Sequence, residues 1–123
     1  EKALAVADFA WVGSGTSTLE AVLLNVPFVL VYKTSAFSWR LMKKFVKVDY
    51  AGMPNIIINK MLIPELLQEN FTSANLVSET KKFFQDNKYK ENLFHGYEEI
   101  KNNLGETGAS VRAATIIVRA FQK

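Results

Sequence analysis

Cysteine is absent from the 123 residues, and histidine occurs once, at His95. The first absence excludes a disulfide scaffold, a thiolate zinc site and a cysteine nucleophile, and it agrees with a reducing compartment. A single histidine excludes a multi-histidine metal centre, so no metal site is expected, and it leaves only His95 for a serine–histidine pair. His95 lies between Phe94 and Gly96 on a polar helical stretch, where a surface role is expected. Three prolines and six glycines are too few for a collagen or a low-complexity segment. No apolar run approaches the roughly 18 residues of a membrane-spanning helix. No apolar heptad persists, so a coiled coil is not expected. The chain opens Glu1-Lys2-Ala3, without an initiating Met or a signal-peptide pattern, and reads as the cut end of a longer protein.

What is present is an ordinary globular composition, 49% hydrophobic and 22% charged, in a length that suits one domain with no internal boundary. Charge is uneven. Residues 33–60 carry Lys33, Arg40, Lys43, Lys44, Lys47 and Lys60 against Asp49 alone, whereas the rest of the chain is neutral or slightly acidic. A nucleic-acid binder would spread its cations over a wider stripe, so no nucleic-acid partner is expected. A local patch suits a phosphate-bearing ligand or an anionic surface.

Ala3–Val12 predicts a short helix running into a buried strand. Gly13-Ser14-Gly15-Thr16 is a turn cluster, and Thr16–Asn25 spaces Leu19, Val22 and Leu23 as a helix. Phe28–Tyr32 is five consecutive strand formers, the pattern of a parallel strand covered on both faces. Together these make a βαβ unit. Phe37–Val48 predicts an amphipathic helix and Asp49–Asn55 a loop closed by Pro54. Ile56–Ile58 reads as a short strand or extended segment, and Pro64 as the opening of a short helix over Glu65–Glu69. Helices follow over Ser73–Asp86, over Lys88–Leu104 with Gly105 as its cap, and from Thr107 or Ser110 to Phe121. Few strands at the front and helices behind predict an α/β fold, the second half of a Rossmann-like domain.

The strongest local signal is Gly13-Ser14-Gly15-Thr16-Ser17-Thr18-Leu19-Glu20, between predicted strand and predicted helix. Helix starts carry unpaired N–H groups, Gly15 permits close approach, and Ser14 and Thr16 add hydroxyls, which together suit a diphosphate. The segment lacks the lysine of a Walker-A loop and the spacing of the dinucleotide fingerprint. Glu20 follows one turn after Thr16, where a carboxylate can accept from a ribose diol. By itself the motif is equally a capped helix with Glu20 in a salt bridge. Asn55 and Gln68 offer amides that suit sugar hydroxyls, although Asn55 is also an ordinary residue after proline and Gln68 can simply be solvated.

Ser14-Gly15-Thr16-x-Thr18-Leu19-Glu20-Ala21, Val26-Pro27 and Val31-Tyr32-Lys33 resemble the donor half of the lipid-A-disaccharide synthases. Lys47-Val48-Asp49-Tyr50, Pro54-Asn55-Ile56, Pro64-Glu65-Leu66-Leu67-Gln68, Leu104-Gly105 and Gly108-Ala109-Ser110 agree in order, so the resemblance spans the chain. It implies a partial C-terminal domain of a GT-B glycosyltransferase, an inverting enzyme without cofactor. Its partners would be a UDP-diacylglucosamine donor and a lipid acceptor, diacylglucosamine 1-phosphate. It further implies Ser14, Gly15 and Thr16 on the diphosphate, Glu20 on the ribose, Asn55 in a supporting catalytic role, and Glu65 and Gln68 near the donor. The general base would lie outside this chain, which by itself is expected to be inactive. Lys33 stands where some members carry arginine, keeping the charge but not the bidentate geometry. A similar half-domain occurs in UDP-GlcNAc epimerases and the lipid II glycosyltransferase, and a non-catalytic nucleotide-binding or assembly module is the remaining alternative.

Arg40, Lys43, Lys44 and Lys47 recur along one face of the Phe37–Val48 helix, with Phe37, Leu41, Phe45 and Val48 on another. Such a helix can lie on an anionic membrane or pack its apolar face on the sheet. The resemblance favours the first, and with it a cytoplasmic protein peripheral on the inner face of the cytoplasmic membrane. A half-sheet with an open edge, and a final helix bearing Val111, Ile117, Val118 and Phe121, predict self-association.

Overall fold

The computed structural model describes residues 3–45, 49–105 and 108–121, with the backbone alone for 41–45 and 109. Lys47, Val48 and Thr107, and the side chains of Lys43 and Lys44, lie outside this description. The chain is α/β, with a three-stranded parallel sheet in the order β1 (Ala10–Gly13), β2 (Phe28–Tyr32), β3 (Glu65–Leu67). The expected βαβ unit is present, with α1 (Ser17–Leu23) linking β1 and β2. Between β2 and β3 lie α2 (Ala36–Phe45) and α3 (Met53–Ile58). Beyond β3 come α4 (Ser73–Gln85), α5 (Asn87–Leu104) and α6 (Ala109–Phe121).

The central strand is covered on both faces, with Phe28, Val29 and Leu30 all buried in succession. Each such side chain contributes about 1.5–3 kcal/mol by leaving water. Phe28 and Leu30 join Val12, Val22, Ile63, Leu93 and Ile100 in one core. Val29 is level with Trp11 in the sheet, on the side where the Trp11 indole donates to Thr80 of α4. Within the core, the Tyr97 hydroxyl donates to the Val26 carbonyl at 3.0 Å. Burial pushes the Tyr97 phenol far above the usual tyrosine range. Gly96 lets α5 approach Leu62, because a Cβ there would collide with the Leu62 side chain.

Four sequence expectations need correction. Ile56–Ile58 is the end of helix α3, not a strand. Pro54, expected to close a loop, lies in the first turn of that helix, Gly52 is its N-cap, and Asn59 ends it in the left-handed conformation. Three β-branched residues in a row are too short a run to separate the two periodicities. Glu65–Leu67 is strand β3, followed by one turn of 3-10 helix at Gln68–Asn70, where a helix opened by Pro64 was expected. Pairing with β2 overrides the local preference: Pro64 accepts from Leu30 N at 2.9 Å and stands just before the strand, where its missing N–H costs nothing. Strand β1 is an edge rather than a buried strand, with Val12 buried and Trp11 58% exposed. Phe83 is core, whereas Phe84 stays at the surface.

Candidate functional site

Parallel strands deliver their following loops to one edge of a sheet, the usual position of ligands in α/β folds. Here that edge collects Ser14–Thr16 after β1, Lys33 and Thr34 after β2, and Gln68 after β3. Gly13 is level with Val31, and Tyr32 with Leu67.

The first turn is exposed from Gly13 to Thr16. Gly15 has φ +146°, a conformation L side chains rarely adopt, and the space where its Cβ would stand is open. Thr18 Oγ1 donates to the Gly15 carbonyl at 2.7 Å and Ser17 Oγ to the Gly13 carbonyl at 3.3 Å. Thr16 is the N-cap of α1, but its side chain makes no capping bond. The amides of Thr18, Leu19 and Glu20 already bond to the carbonyls of Gly15 and Thr16. Glu20 is half-buried in the first turn of α1.

A second turn, Ala51–Gly52, lies beside the first. Ser14 Oγ donates to the Ala51 carbonyl at 3.4 Å. The Glu65 carboxylate accepts from Ala51 N at 2.8 Å through Oε2, and from Gly52 N at 2.9 Å through Oε1. Asn55, 1% exposed, donates from Nδ2 to Glu65 Oε1 and to the Ile63 carbonyl, each at 2.8 Å. Its Oδ1 accepts from Leu62 N at 3.0 Å and Ile63 N at 2.9 Å. These bonds occupy both amide hydrogens and both oxygen lone pairs of Asn55. The structure thus joins Ser14, Glu65 and Asn55, which are far apart in sequence, into one hydrogen-bonded cluster.

Gln68, 6% exposed, takes the left-handed conformation at φ 51°. Its amide faces the Thr34 backbone, donating to the carbonyl at 3.0 Å and accepting from the N–H at 3.2 Å. Strained residues of this kind persist where the surroundings over-determine them. Beside Gln68 opens a cleft of about 350 Å³, lined by Lys33, Thr34, Trp39, Arg40 and Glu69. Of the expected basic face, Arg40 is exposed and close to this cleft. His95 is exposed on α5. Sequence reasoning missed the Ala51–Gly52 turn and the Trp39 cleft. The visible signal for the turn was Gly52 two residues before Pro54, the spacing of a helix start.

The family model for lipid-A-disaccharide synthetase matches residues 1–118. A lipid-A-disaccharide synthase of Sulfurihydrogenibium sp. (strain YO3AOP1) is 36% identical over 117 residues, which are 95% of this chain and 30% of that protein. One from Dechloromonas aromatica (strain RCB) is 36% identical over 95% of this chain and 31% of its own length. One from Aeromonas hydrophila subsp. hydrophila is 42% identical over 119 residues, 96% of this chain and 31% of that protein. The chain therefore spans somewhat under one third of the length of these curated relatives.

Proposed function

The chain belongs to the lipid-A-disaccharide synthetase family, and on that premise we propose that it is the UDP-sugar-binding portion of a GT-B glycosyltransferase. The proposed reaction transfers diacylglucosamine from its UDP derivative to diacylglucosamine 1-phosphate. The observation that carries the reading is the gathering of the Ser14–Thr16 turn, Lys33 and Gln68 at the carboxyl ends of three parallel strands. In this reading Ser14, Gly15 and Thr16 meet the diphosphate, and Glu20 accepts from the ribose hydroxyls. Gln68 and the Trp39 cleft lie toward the sugar. Asn55 and Glu65, whose polar atoms are engaged within the chain, support the site from behind. The general base comes from residues outside these 123.

Calorimetric titration with UDP and with inorganic diphosphate tests the reading. Glu20→Ala is expected to weaken UDP about tenfold, the worth of one hydrogen bond to a charged group, and to leave diphosphate nearly unchanged. Equal losses for the two ligands would sink the assignment of Glu20 to the ribose.

No described helix is long and apolar enough to cross a membrane. The proposal places the enzyme in the cytoplasm, in peripheral contact with the inner face of the cytoplasmic membrane through α2. Phe37 there is 78% exposed and Arg40 is exposed beside it, a pairing of apolar and cationic side chains that suits an anionic interface. Self-association is proposed through α6, whose described side chains from Ser110 to Phe121 are all exposed, Val111, Ile117, Val118 and Phe121 among them.

A further inference from the structure

Glu65 is the first residue of β3, level with Leu30 of β2, yet its carboxylate serves a turn 13 residues earlier in the chain. Three donors converge on it: Ala51 N, Gly52 N and Asn55 Nδ2, all within 2.9 Å. Gly52 is the N-cap of α3 and has no side-chain cap. Glu65 therefore accepts, from another element and in charge-assisted form, from the N–H of the N-cap residue, the bond that a carboxylate at the third helical position makes in a capping box. Asn55 fixes the carboxylate in turn, being itself anchored to the backbone of Leu62 and Ile63.

The fit around this turn is close. A Cβ on Gly52 would meet Leu30 Cδ1 at 2.8 Å and Glu65 Oε1 at 3.2 Å, so only glycine lets the turn sit this deep. With both N–H groups held inward, the Ala51 carbonyl is presented to Ser14 Oγ at 3.4 Å. That bond is long. It orients the hydroxyl without holding it tightly, and an incoming anion can take the proton donor over.

We propose that Glu65 is a positioning residue for the Gly13–Thr16 turn, acting through the Ala51–Gly52 backbone and Ser14 rather than by touching a ligand. The role rests on the reading of Ser14–Thr16 as the donor turn. It assigns the Pro64-Glu65 segment to holding that turn in place and leaves Gln68, three residues on, as the member of the segment that faces the cleft.

Two measurements on the protein test this. Glu65→Gln keeps the shape but sets an N–H₂ group against a backbone or Asn55 donor, so one bond at the turn is lost. Amide hydrogen exchange without ligand should then rise at residues 13–17 and 51–52 and stay unchanged in α5 at 93–100. In a double-mutant cycle read by UDP affinity, Glu65→Gln should weaken binding about five- to tenfold in the parent and add no further loss in Ser14→Ala. Glu65→Asp, which keeps the charge with a shorter reach, takes its place if Glu65→Gln does not fold, with the same pattern at smaller amplitude. Unchanged exchange at 13–17, or a loss that persists in full in the Ser14→Ala background, overturns the proposal. A parent protein that does not bind UDP overturns the proposed function instead, and the exchange measurement still decides the linkage.

Discussion

The turn after β1 and the turn before α3 are neighbours built on opposite principles. Gly13–Thr16 is exposed, with open space over Gly15 and hydroxyls that brace it from the helix side. Ala51–Gly52 is tucked under Leu30, and its amides are consumed by Glu65. An exposed, open turn has room to receive a ligand, whereas a filled one can only hold its neighbours. In the proposed function the difference separates residues that meet a substrate from residues that place them, although both kinds sit in equally recognisable motifs.

The largest expected effect comes from removing the anchor of the closed turn. Asn55→Ala strips partners from two backbone N–H groups, one carbonyl and the Glu65 carboxylate, and should cost about 3–5 kcal/mol in urea unfolding. A cost under about 1 kcal/mol would show that water replaces the amide and that the turn is less closed than described.

One substitution made in three glycines sharpens the contrast. Gly52→Ala should cost about 2–3 kcal/mol, because the methyl collides with Leu30 and Glu65. Gly15→Ala meets no atoms and should cost about 1–2 kcal/mol through its backbone conformation alone. Gly13→Ala has neither problem and should stay within about 0.5 kcal/mol of the parent. Equal costs at Gly52 and Gly13 would erase the distinction between a filled turn and an open one.

A remote control completes the series. Tyr97→Phe leaves the buried Val26 carbonyl without the phenol and should cost about 1 kcal/mol, with UDP affinity unchanged. The raised Tyr97 phenol also gives a sign in pH. The folded state keeps this proton above pH 10, where the unfolded chain releases it, so its stabilisation is fully present below about pH 10 and is lost as pH rises. Tyr97→Phe should flatten the alkaline limb of the stability curve. An unchanged limb in thermal melts between pH 9 and 11, run at about 0.5 pH intervals, would assign it to other groups.

Much of the architecture was legible in local pattern. Phe28–Tyr32 read as a doubly covered strand because a run of strand formers without alternation has only that use in a parallel sheet. Helices α1, α4, α5 and α6 followed from spacing and caps, with Gly105 ending α5 as expected. The family was readable too, since several motifs in fixed order are far more specific than any one. Ile56–Ile58 and Glu65–Leu67 were not legible. Each is short, and its conformation depends on a partner elsewhere: the Glu65 carboxylate and Pro54 start one as a helix, and β2 recruits the other as a strand.

The candidate site divides along the same line. Residue type named Ser14, Gly15, Thr16, Glu20, Asn55 and Gln68, because hydroxyls, amides and carboxylates near turns carry their chemistry wherever they stand, and the family resemblance added Glu65. Which of them lie open and which are spent on the chain itself was decided only by the fold. Hydrogen-bond partners such as Ala51 and Glu65, or Ser14 and Ala51, are 14 and 37 residues apart, and only the packing of α3 beside the sheet brings them within reach. A motif records what a side chain is able to bond; tertiary structure settles what it bonds first, because a buried polar group must find partners during folding and offers a ligand only the capacity those partners leave.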